Sequence, residues 1–310
     1  MQKATAKKQS ISIYQFLQKF PDENSVLRFM ESRRWPNGRI CVHCGSARTV
    51  EVKNQKPMPY RCQDCREHFS IRTGTILSES KISLHKWLFA IYLMTTSRKG
   101  ISSVQLAKEI GVTQKTAWFL EHRIREAYAE KGGLLGPIVE IDETYIGGKE
   151  KNKHASKKIH AGRGGIGKQA VMGIRERKGK VRAFPVSGTD KSRLQSAIVE
   201  NVKRGSTVFT DCFSSYNNLK GYEHSAVRHS IGEYVNGKVH TNGIESFWAL
   251  LKRGYYGVFH HMSAAHLHRY VQEFAGRHNA GHNTLHNFDV VLTGIVGRRL
   301  TYKELTGNGN

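Results

Sequence analysis

The sequence predicts a chain of several domains, in which a small metal-binding ribbon and a helical region precede an α/β domain. Three observations carry this prediction. Two Cys-x-x-Cys pairs lie between residues 39 and 72, helical periodicity runs over 81–131, and short β-branched runs alternate with helical segments over 136–295. Because alternating strands and helices pack as layers around a sheet, the last segment is expected to form a mixed sheet flanked by helices.

The composition indicates a polyanionic partner. Of 310 residues, 49 are Lys or Arg and 25 are Asp or Glu, which leaves a formal net charge of +24. No fold requires such an excess, so nucleic acid is the leading candidate. The sequence has no run of about 18 apolar residues and no secretory signal at its N-terminus. We therefore expect a cytoplasmic, nucleoid-associated protein with no membrane partner.

Residues 1–38 are predicted to form a helical lead-in that ends at a Trp-Pro-Asn-Gly turn. Residues 39–72 are predicted to form a zinc ribbon, whose ligands are two cysteine pairs: Cys41, Cys44, Cys62 and Cys65. The 17 residues between the pairs fall inside the window that lets a hairpin close four thiolates around one structural Zn²⁺. Gly45 suits the tight turn after the first pair. The fifth cysteine, Cys212, is expected to be a buried thiol.

The region 81–131 is predicted to contain a helix-turn-helix. A short helix, a turn at Gly111 and a capping Thr113 before a second helix give that layout. The second helix of such a motif is presented to the DNA major groove. Gln114 and Lys115, near its start, are therefore candidates for base or phosphate contacts. An ordinary helical hairpin is the alternative.

A domain boundary is predicted in the Gly- and Pro-containing segment 132–137, so the α/β domain should span 136–295, followed by a C-terminal tail at 296–310. Its expected strands are 138–142, 170–175, 181–186 and 207–210. Its expected helices are 191–202, 243–252 and 264–277. A Gly- and Lys-rich loop after the first strand carries candidate DNA contacts: Lys149, Arg163 and Lys168.

Three acidic residues of this basic chain are candidate catalytic groups. Asp142 follows the first β-branched run, Asp211 follows the fourth, and Glu245 lies near the start of a predicted helix. Each has a structural alternative, such as a turn-forming Asp or a capping box in which Asn242 caps the helix of Glu245. Together they offer the hard oxygen ligands that phosphoryl transfer requires, enough for two Mg²⁺ ions, or Mn²⁺ in their place. Asn242 and Glu143 are alternative ligands.

Basic and aromatic side chains near Glu245 fit a DNA-contacting surface. Lys252 and Arg253 follow Glu245 on the predicted helix and are expected to contact the DNA backbone. Four aromatic residues are candidates for stacking on bases, with core packing expected for at least half of them: Tyr145, Trp248, Tyr255 and Tyr256.

Four segments resemble the zinc-ribbon DDE transposases of bacterial insertion sequences, the ISXO-like group. They are the WPNG turn with its CxxC pair, VEIDETYIGGK, FTDCFSSY, and HTNGIESFWALLKRGYYGVFHHMSAAHLHRYVQEFAGRHN. The resemblance covers nearly the whole chain. It implies a ribonuclease-H-like catalytic domain with Asp142 on the first strand, Asp211 after the fourth and Glu245 on a later helix. It also implies an enzyme that binds the terminal inverted repeats of its element, cuts double-stranded DNA and joins it to target DNA, as a homodimer or higher oligomer.

Two other classes of protein remain open from the sequence. A non-catalytic DNA-binding regulator would use the same ribbon and helix-turn-helix, with the C-terminal domain serving only in assembly. A metal-dependent nuclease would cut DNA without joining it. The intact acids favour an enzyme over the regulator, but they do not separate a transposase from a nuclease.

Overall fold

The computed structural model describes residues 10–129, 132–148, 154–158, 165, 167–227, 240–281 and 283–307. In chain order the helices are α1 (Ile13–Lys19), α2 (Glu23–Arg34), α3 (Leu84–Thr96), α4 (Ser103–Ile110), α5 (Gln114–Glu126), α6 (Lys191–Asn201), α7 (Asn242–Gly254), α8 (Leu267–Asn279), α9 (Thr284–Gly294) and α10 (Tyr302–Thr306). The strands are β1 (Thr49–Glu51), β2 (Tyr60–Cys62), β3 (His68–Phe69), β4 (Ile138–Ile146), β5 (Gln169–Glu176), β6 (Val181–Val186), β7 (Thr207–Asp211) and β8 (Glu223–Val227).

The chain divides into two compact units. The first comprises the described residues of 1–97, 101–128 and 282–310, and the second comprises those of 98–100 and 129–281. None of the helices in the described part of the chain is long and apolar enough to cross a membrane.

The first unit begins with the predicted helical lead-in, which is confirmed as two helices on either side of Pro21. Side chains cap both: Ser12 Oγ accepts the Gln15 N–H at 3.2 Å, and Asp22 Oδ1 accepts the Ser25 N–H at 2.7 Å. Such caps satisfy N–H groups that a helix start leaves without partners. The short strands β1, β2 and β3 then form an antiparallel sheet in the order β1-β2-β3.

The short helix, turn and second helix predicted over 81–131 are present as α4 and α5. Gly111 ends α4 in the left-handed region at φ +62°, where a glycine has no Cβ to clash. Thr113 caps α5, accepting the Thr116 N–H at 3.2 Å. Leu106 and Leu120 face the buried core of the unit.

Helix α9 also belongs to the first unit. The Asn287 side chain accepts a hydrogen bond from Tyr128 Oη at 3.1 Å and donates one to the Thr95 carbonyl at 2.9 Å. Phe288 and Val291 lie in the core of that unit. The sequence pattern grouped this segment with the α/β domain of 136–295, because nothing local to α9 indicates that its partners lie more than 150 residues earlier.

The second unit is the α/β domain. Its sheet has the strand order β6-β5-β4-β7-β8, in which β4, β5 and β6 are antiparallel neighbours and β7 and β8 run parallel to β4. The mixed sheet with helices is confirmed, as are the four predicted strands and three predicted helices, apart from shifts of their ends. The sequence pattern missed β8, whose residues Glu223, His224 and Ser225 resemble a loop.

Successive side chains of a strand point to opposite faces of the sheet, and each face packs a separate hydrophobic cluster. Val139 and Ile141 of β4 pack with α6 residues such as Leu194 and Ile198. A second cluster combines strand residues with apolar side chains of α7 and α8: Ile146, Val171, Val181, Ala183, Ile244, Phe247, Leu251, Val271 and Phe274. Helix α7, which carries Glu245, is therefore seated by its apolar face.

Candidate functional site

The four ribbon cysteines lie on two similar turns. After the first pair, the Gly45 N–H donates to the Cys41 carbonyl at 3.0 Å, with Gly45 at φ +78°. After the second pair, the Glu67 carbonyl accepts the Cys62 N–H at 3.0 Å, with Arg66 at φ +64°. The second turn thus places a non-glycine residue in the region that favours glycine.

The sulfur positions fit one zinc ion. Cys41 Sγ lies 3.6 Å from Cys65 Sγ, and Cys44 Sγ lies 3.6 Å from Cys62 Sγ. All four sulfurs lie within 4.8 Å of one another. Four sulfurs about 2.3 Å from a tetrahedral zinc ion would be about 3.8 Å apart. The predicted ligands are therefore brought together, and this segment is a zinc ribbon.

The three candidate acids lie on adjacent elements of the second unit. Asp142 lies within β4, opposite Gly173 of β5. Asp211 is the last residue of β7, the parallel neighbour of β4, and Glu245 lies in the first turn of α7. Strand β4 continues to Ile146 beyond Asp142, so this acid does not open a turn.

Asp142 occupies a site that disfavours its charge. Burial raises the pKa of Asp142 to about 7, and the neighbouring Glu143 and Asp211 carboxylates act in the same direction. The indole Nε1–H of Trp248 donates to Asp142 Oδ2 at 3.0 Å. The Glu143 backbone N–H donates to Asp142 Oδ1 at 2.8 Å. Asp142 is therefore fixed by hydrogen bonds in a site that favours its neutral form.

Glu245 is held at the start of α7. Thr241 Oγ1 donates to Glu245 Oε1 at 2.8 Å. The helix begins at Asn242 with Thr241 as its N-cap, so the interpretation of Asn242 as the cap was wrong. The helix start lies one residue earlier than that cap would require.

Two further acids surround the site that sequence reasoning did not assign to it. Glu140 of β4 accepts the Ile244 N–H at 3.0 Å, next to Glu245. Glu143, predicted only as an alternative ligand, accepts a hydrogen bond from the buried Tyr216 at 2.6 Å. The alternation of β4 puts the two on opposite faces of the strand. The presence of Glu140 in an otherwise apolar run was the one signal that could have identified it.

The carboxylates are more widely spaced than the sulfurs. Among the described residues, the four cysteines are the group of three or more ligand residues whose ligand atoms all approach within 4.8 Å. The trio Asp142, Asp211 and Glu245 does not meet that spacing. Phe213 N–H donates to Asp211 Oδ1 at 3.0 Å, which fixes the Asp211 carboxylate at the strand end.

The candidate DNA contacts lie apart from one another along the chain. Gln114 and Lys115 are exposed at the start of α5. The Gln114 amide donates to Ser103 Oγ at 2.8 Å, and Lys115 Nζ lies 4.9 Å from the centre of the Tyr302 ring. Lys252 and Arg253 are exposed on the last turn of α7. Lys168 is half-buried just before β5, whereas Lys149 and Arg163 lie outside the described residues.

Of the four aromatic candidates for stacking on bases, two are buried and two are exposed. Trp248 and Tyr255 are buried, at 4% and 3% exposure, so they are core residues and not stacking platforms. Tyr145 and Tyr256 are exposed, at 37% and 52%.

Cys212 is also exposed, so the expectation of a buried thiol was wrong. Cys212 follows Asp211 at the end of β7, beyond the core of the sheet.

Comparisons with known proteins agree with this layout. Residues 133–279 match the family model of the ISXO2-like transposase domain, and residues 21–68 match that of the transposase zinc-ribbon domain. Over 248 residues the chain is 31% identical to a protein of Halobacterium salinarum described as an uncharacterized protein in transposable element ISH50. That alignment covers 76% of this chain and 83% of the relative.

Proposed function

The chain belongs to the ISXO2-like family of insertion-sequence transposases, and we propose that it cuts and joins DNA with Asp142, Asp211 and Glu245 as its catalytic residues. The observation that carries this proposal is the position of the three acids. Two lie on neighbouring parallel strands, and the third lies on a helix whose Trp248 donates a hydrogen bond to the first.

The α/β domain is proposed to be ribonuclease-H-like. Numbered within the domain, the sheet order is 3-2-1-4-5, with the first three strands antiparallel and the last two parallel to the first. The first acid then lies on strand 1 and the second at the end of strand 4. This arrangement matches what the family resemblance implies for the fold.

The acids are proposed to hold two Mg²⁺ ions, with Mn²⁺ as a substitute. Two ions held by these carboxylates would supply Lewis-acid activation of a phosphodiester. Asp142 must give up its proton before it can serve as a ligand. Trp248 then keeps one Asp142 oxygen oriented, while Thr241 does the same for Glu245.

The reaction proceeds in two displacements at phosphorus. Water attacks the scissile phosphate at the end of the element, the P–O3′ bond breaks, and the element keeps a 3′ hydroxyl. That hydroxyl attacks a phosphodiester of the target DNA in line, and the target's own 3′ oxygen leaves. No covalent bond to the protein is required at either step.

The DNA-binding roles are proposed from charge and motif. The zinc ribbon and the helix-turn-helix, with Gln114 and Lys115, would bind the terminal inverted repeats. Five basic residues would contact the DNA backbone: Lys149, Arg163, Lys168, Lys252 and Arg253. Both ends of an element must be held together for joining, so a homodimer or higher oligomer is expected on DNA.

Strand transfer of a labelled element end into a plasmid, with Mg²⁺ present, tests the proposal. The wild-type protein is expected to yield joined products, and Asp211→Asn is expected to abolish them while binding the same DNA. Asp190→Asn is the matched control, because Asp190 caps α6 and contacts none of the three acids. Cleavage without joining would favour a nuclease, and tight specific binding without reaction would favour a regulator.

A further inference from the structure

Glu140 is a buried carboxylate that the proposed chemistry leaves without a role. It lies two residues before Asp142 on β4 and is 2% exposed. Its Oε2 accepts the backbone N–H of Ile244, the residue immediately before Glu245, at 3.0 Å. A buried charge is costly unless it is paired, so its presence in a strand of the sheet core calls for partners.

The further partners of Glu140 are Arg177, just after β5, and His240, just before α7. Arg177 Nε and His240 Nδ1 each lie 3.5 Å from Glu140 Oε1. Arg177 Nη2 donates to the His240 carbonyl at 3.3 Å, and the guanidinium lies 4.6 Å from the centre of the Phe209 ring on β7. Glu140 thus connects β4, the residue after β5 and the segment that leads into α7.

Two hydrogen bonds tie α7 to β4 in register. Glu140 bonds to the backbone of Ile244, and Asp142 bonds to the side chain of Trp248. Two residues along a strand advance about 6.6 Å, and four along a helix advance about 6 Å. The two ties therefore match in spacing, and Glu245 lies between them on the helix.

Glycines bring the helix close to the sheet at both ties. A Cβ at Gly243 would meet the Arg175 guanidinium and Glu140 Oε2. A Cβ at Gly173, the β5 partner of Asp142, would lie 2.5 Å from Trp248 Cζ2. A side chain at Gly173 would displace the Trp248 ring, and one at Gly243 would displace the ends of the Arg175 and Glu140 side chains, so both glycines help to seat α7 on the sheet.

We infer that Glu140 is a positioning residue for the metal site: it fixes the N-terminus of α7 so that the Glu245 carboxylate is held in place relative to Asp142. The positive end of the helix faces the Glu140 carboxylate, which favours the same contact. The role is exerted through Glu245, since the contacts of Glu140 are with Ile244, Arg177 and His240 and with none of the three proposed catalytic acids. This inference rests on the proposed function, because it assumes that Glu245 is a metal ligand.

The test measures Mn²⁺ binding to the full, zinc-loaded chain by electron paramagnetic resonance. The catalytic metal site is identified as the Mn²⁺ site that is present in the wild type and lost in Glu245→Gln. We expect Glu140→Ala to weaken that binding about tenfold and Glu140→Gln, which keeps an oxygen for the Ile244 N–H, by about threefold at most. If Glu140→Ala does not fold, Glu140→Asp replaces it. This variant keeps the charge, but its shorter side chain brings the carboxylate less close to the Ile244 N–H. It should weaken Mn²⁺ binding by at least as much as Glu140→Gln.

A structural control separates positioning from lost stability. Leu194→Ala removes a buried side chain from the α6 layer of the same domain, away from α7. It is expected to lower the melting temperature without changing the Mn²⁺ affinity of the folded chain. The ¹⁵N-indole signal of Trp248 should likewise move in Glu140→Ala and not in Leu194→Ala.

The outcomes distinguish this inference from the function on which it rests. Wild-type Mn²⁺ affinity in Glu140→Ala or Glu140→Asp would overturn the role of Glu140 and leave the catalytic acids in place. Absence of any Mn²⁺ site sensitive to Glu245→Gln would overturn both. An equal loss of affinity in Leu194→Ala would reduce Glu140 to a structural residue.

Discussion

At the scale of single residues, Asp142 is expected to destabilise the metal-free protein at neutral pH. Its pKa is raised from 3.8 to about 7, so the folded chain holds a proton that the unfolded chain releases near pH 4. Stability should therefore fall as the pH rises from about 4 to about 7 and stay reduced above that. Each pKa unit is worth about 1.4 kcal/mol, so the loss is of the order of 4 kcal/mol. Asp142→Asn should remove this dependence, as measured by urea unfolding in EDTA across that range.

Asp190 provides the control for this prediction, because its environment has the opposite effect. The side chain of Arg193, followed by its backbone N–H, lowers the pKa of Asp190. At pH values above 4, Asp190→Asn should therefore cause a small loss of stability, whereas Asp142→Asn should increase stability. An Asp142→Asn protein no more stable than the wild type at pH 8 would contradict the electrostatic account of the site.

The acids differ in how far the sequence could predict them. Asp142 and Asp211 follow β-branched runs and Glu245 opens an amphipathic helix, so local pattern made them candidates, and the family resemblance then gave them their proposed roles. Glu140 was missed because its partners, Ile244 and His240, lie about 100 residues away in sequence and meet it only in the folded sheet. Local pattern locates a strand, but it does not show which side chain a distant helix will bury.

At the scale of elements, the zinc ribbon is expected to depend on its metal. Strands of two or three residues cannot form a stable sheet unaided, so the four thiolates must hold the turns together. Cys62→Ala should lower the zinc content from about one ion per chain to nearly none. Zinc released by a thiol reagent and read with a chromogenic chelator gives the measurement. Cys212→Ala should retain the full content, and equal loss in both variants would argue against this ligand set.

Helix α8 is expected to depend on Asn279. Its Oδ1 accepts the Val181 N–H at 2.7 Å, and its Nδ2 donates to the Val181 carbonyl at 2.9 Å, which satisfies the backbone at the start of β6. Asn279→Ala leaves both backbone groups without this partner and should cost about 1–3 kcal/mol in urea unfolding. Asn217→Ala, at an exposed position, should change stability by less than about 0.5 kcal/mol. Comparable values for the two would contradict the role assigned to Asn279.

Elements with a strong local signal were predicted, and those defined by distant contacts were not. The glycine at position 111 and the capping residue Thr113 predict the end of α4 and the start of α5 from the sequence. The edge strand β8 carries polar residues and has no such signal. The place of α9 in the first unit depends on Asn287, whose hydrogen-bond partners precede the α/β domain in the chain.

At the scale of the whole molecule, the net charge of +24 predicts DNA binding that weakens steeply with salt. Each phosphate contact adds about 0.9 to the slope of log affinity against log salt concentration, so Lys252→Ala combined with Arg253→Ala should lower that slope by nearly two. Fluorescence anisotropy of a labelled duplex over a KCl series measures it. Gln114→Ala carries no charge change, so it should leave the slope unaltered even if it weakens binding to the terminal repeat. A double variant that keeps the wild-type slope would show that these two exposed cations on α7 do not contact phosphates, and the basic charge that binds DNA would then lie elsewhere on the molecule.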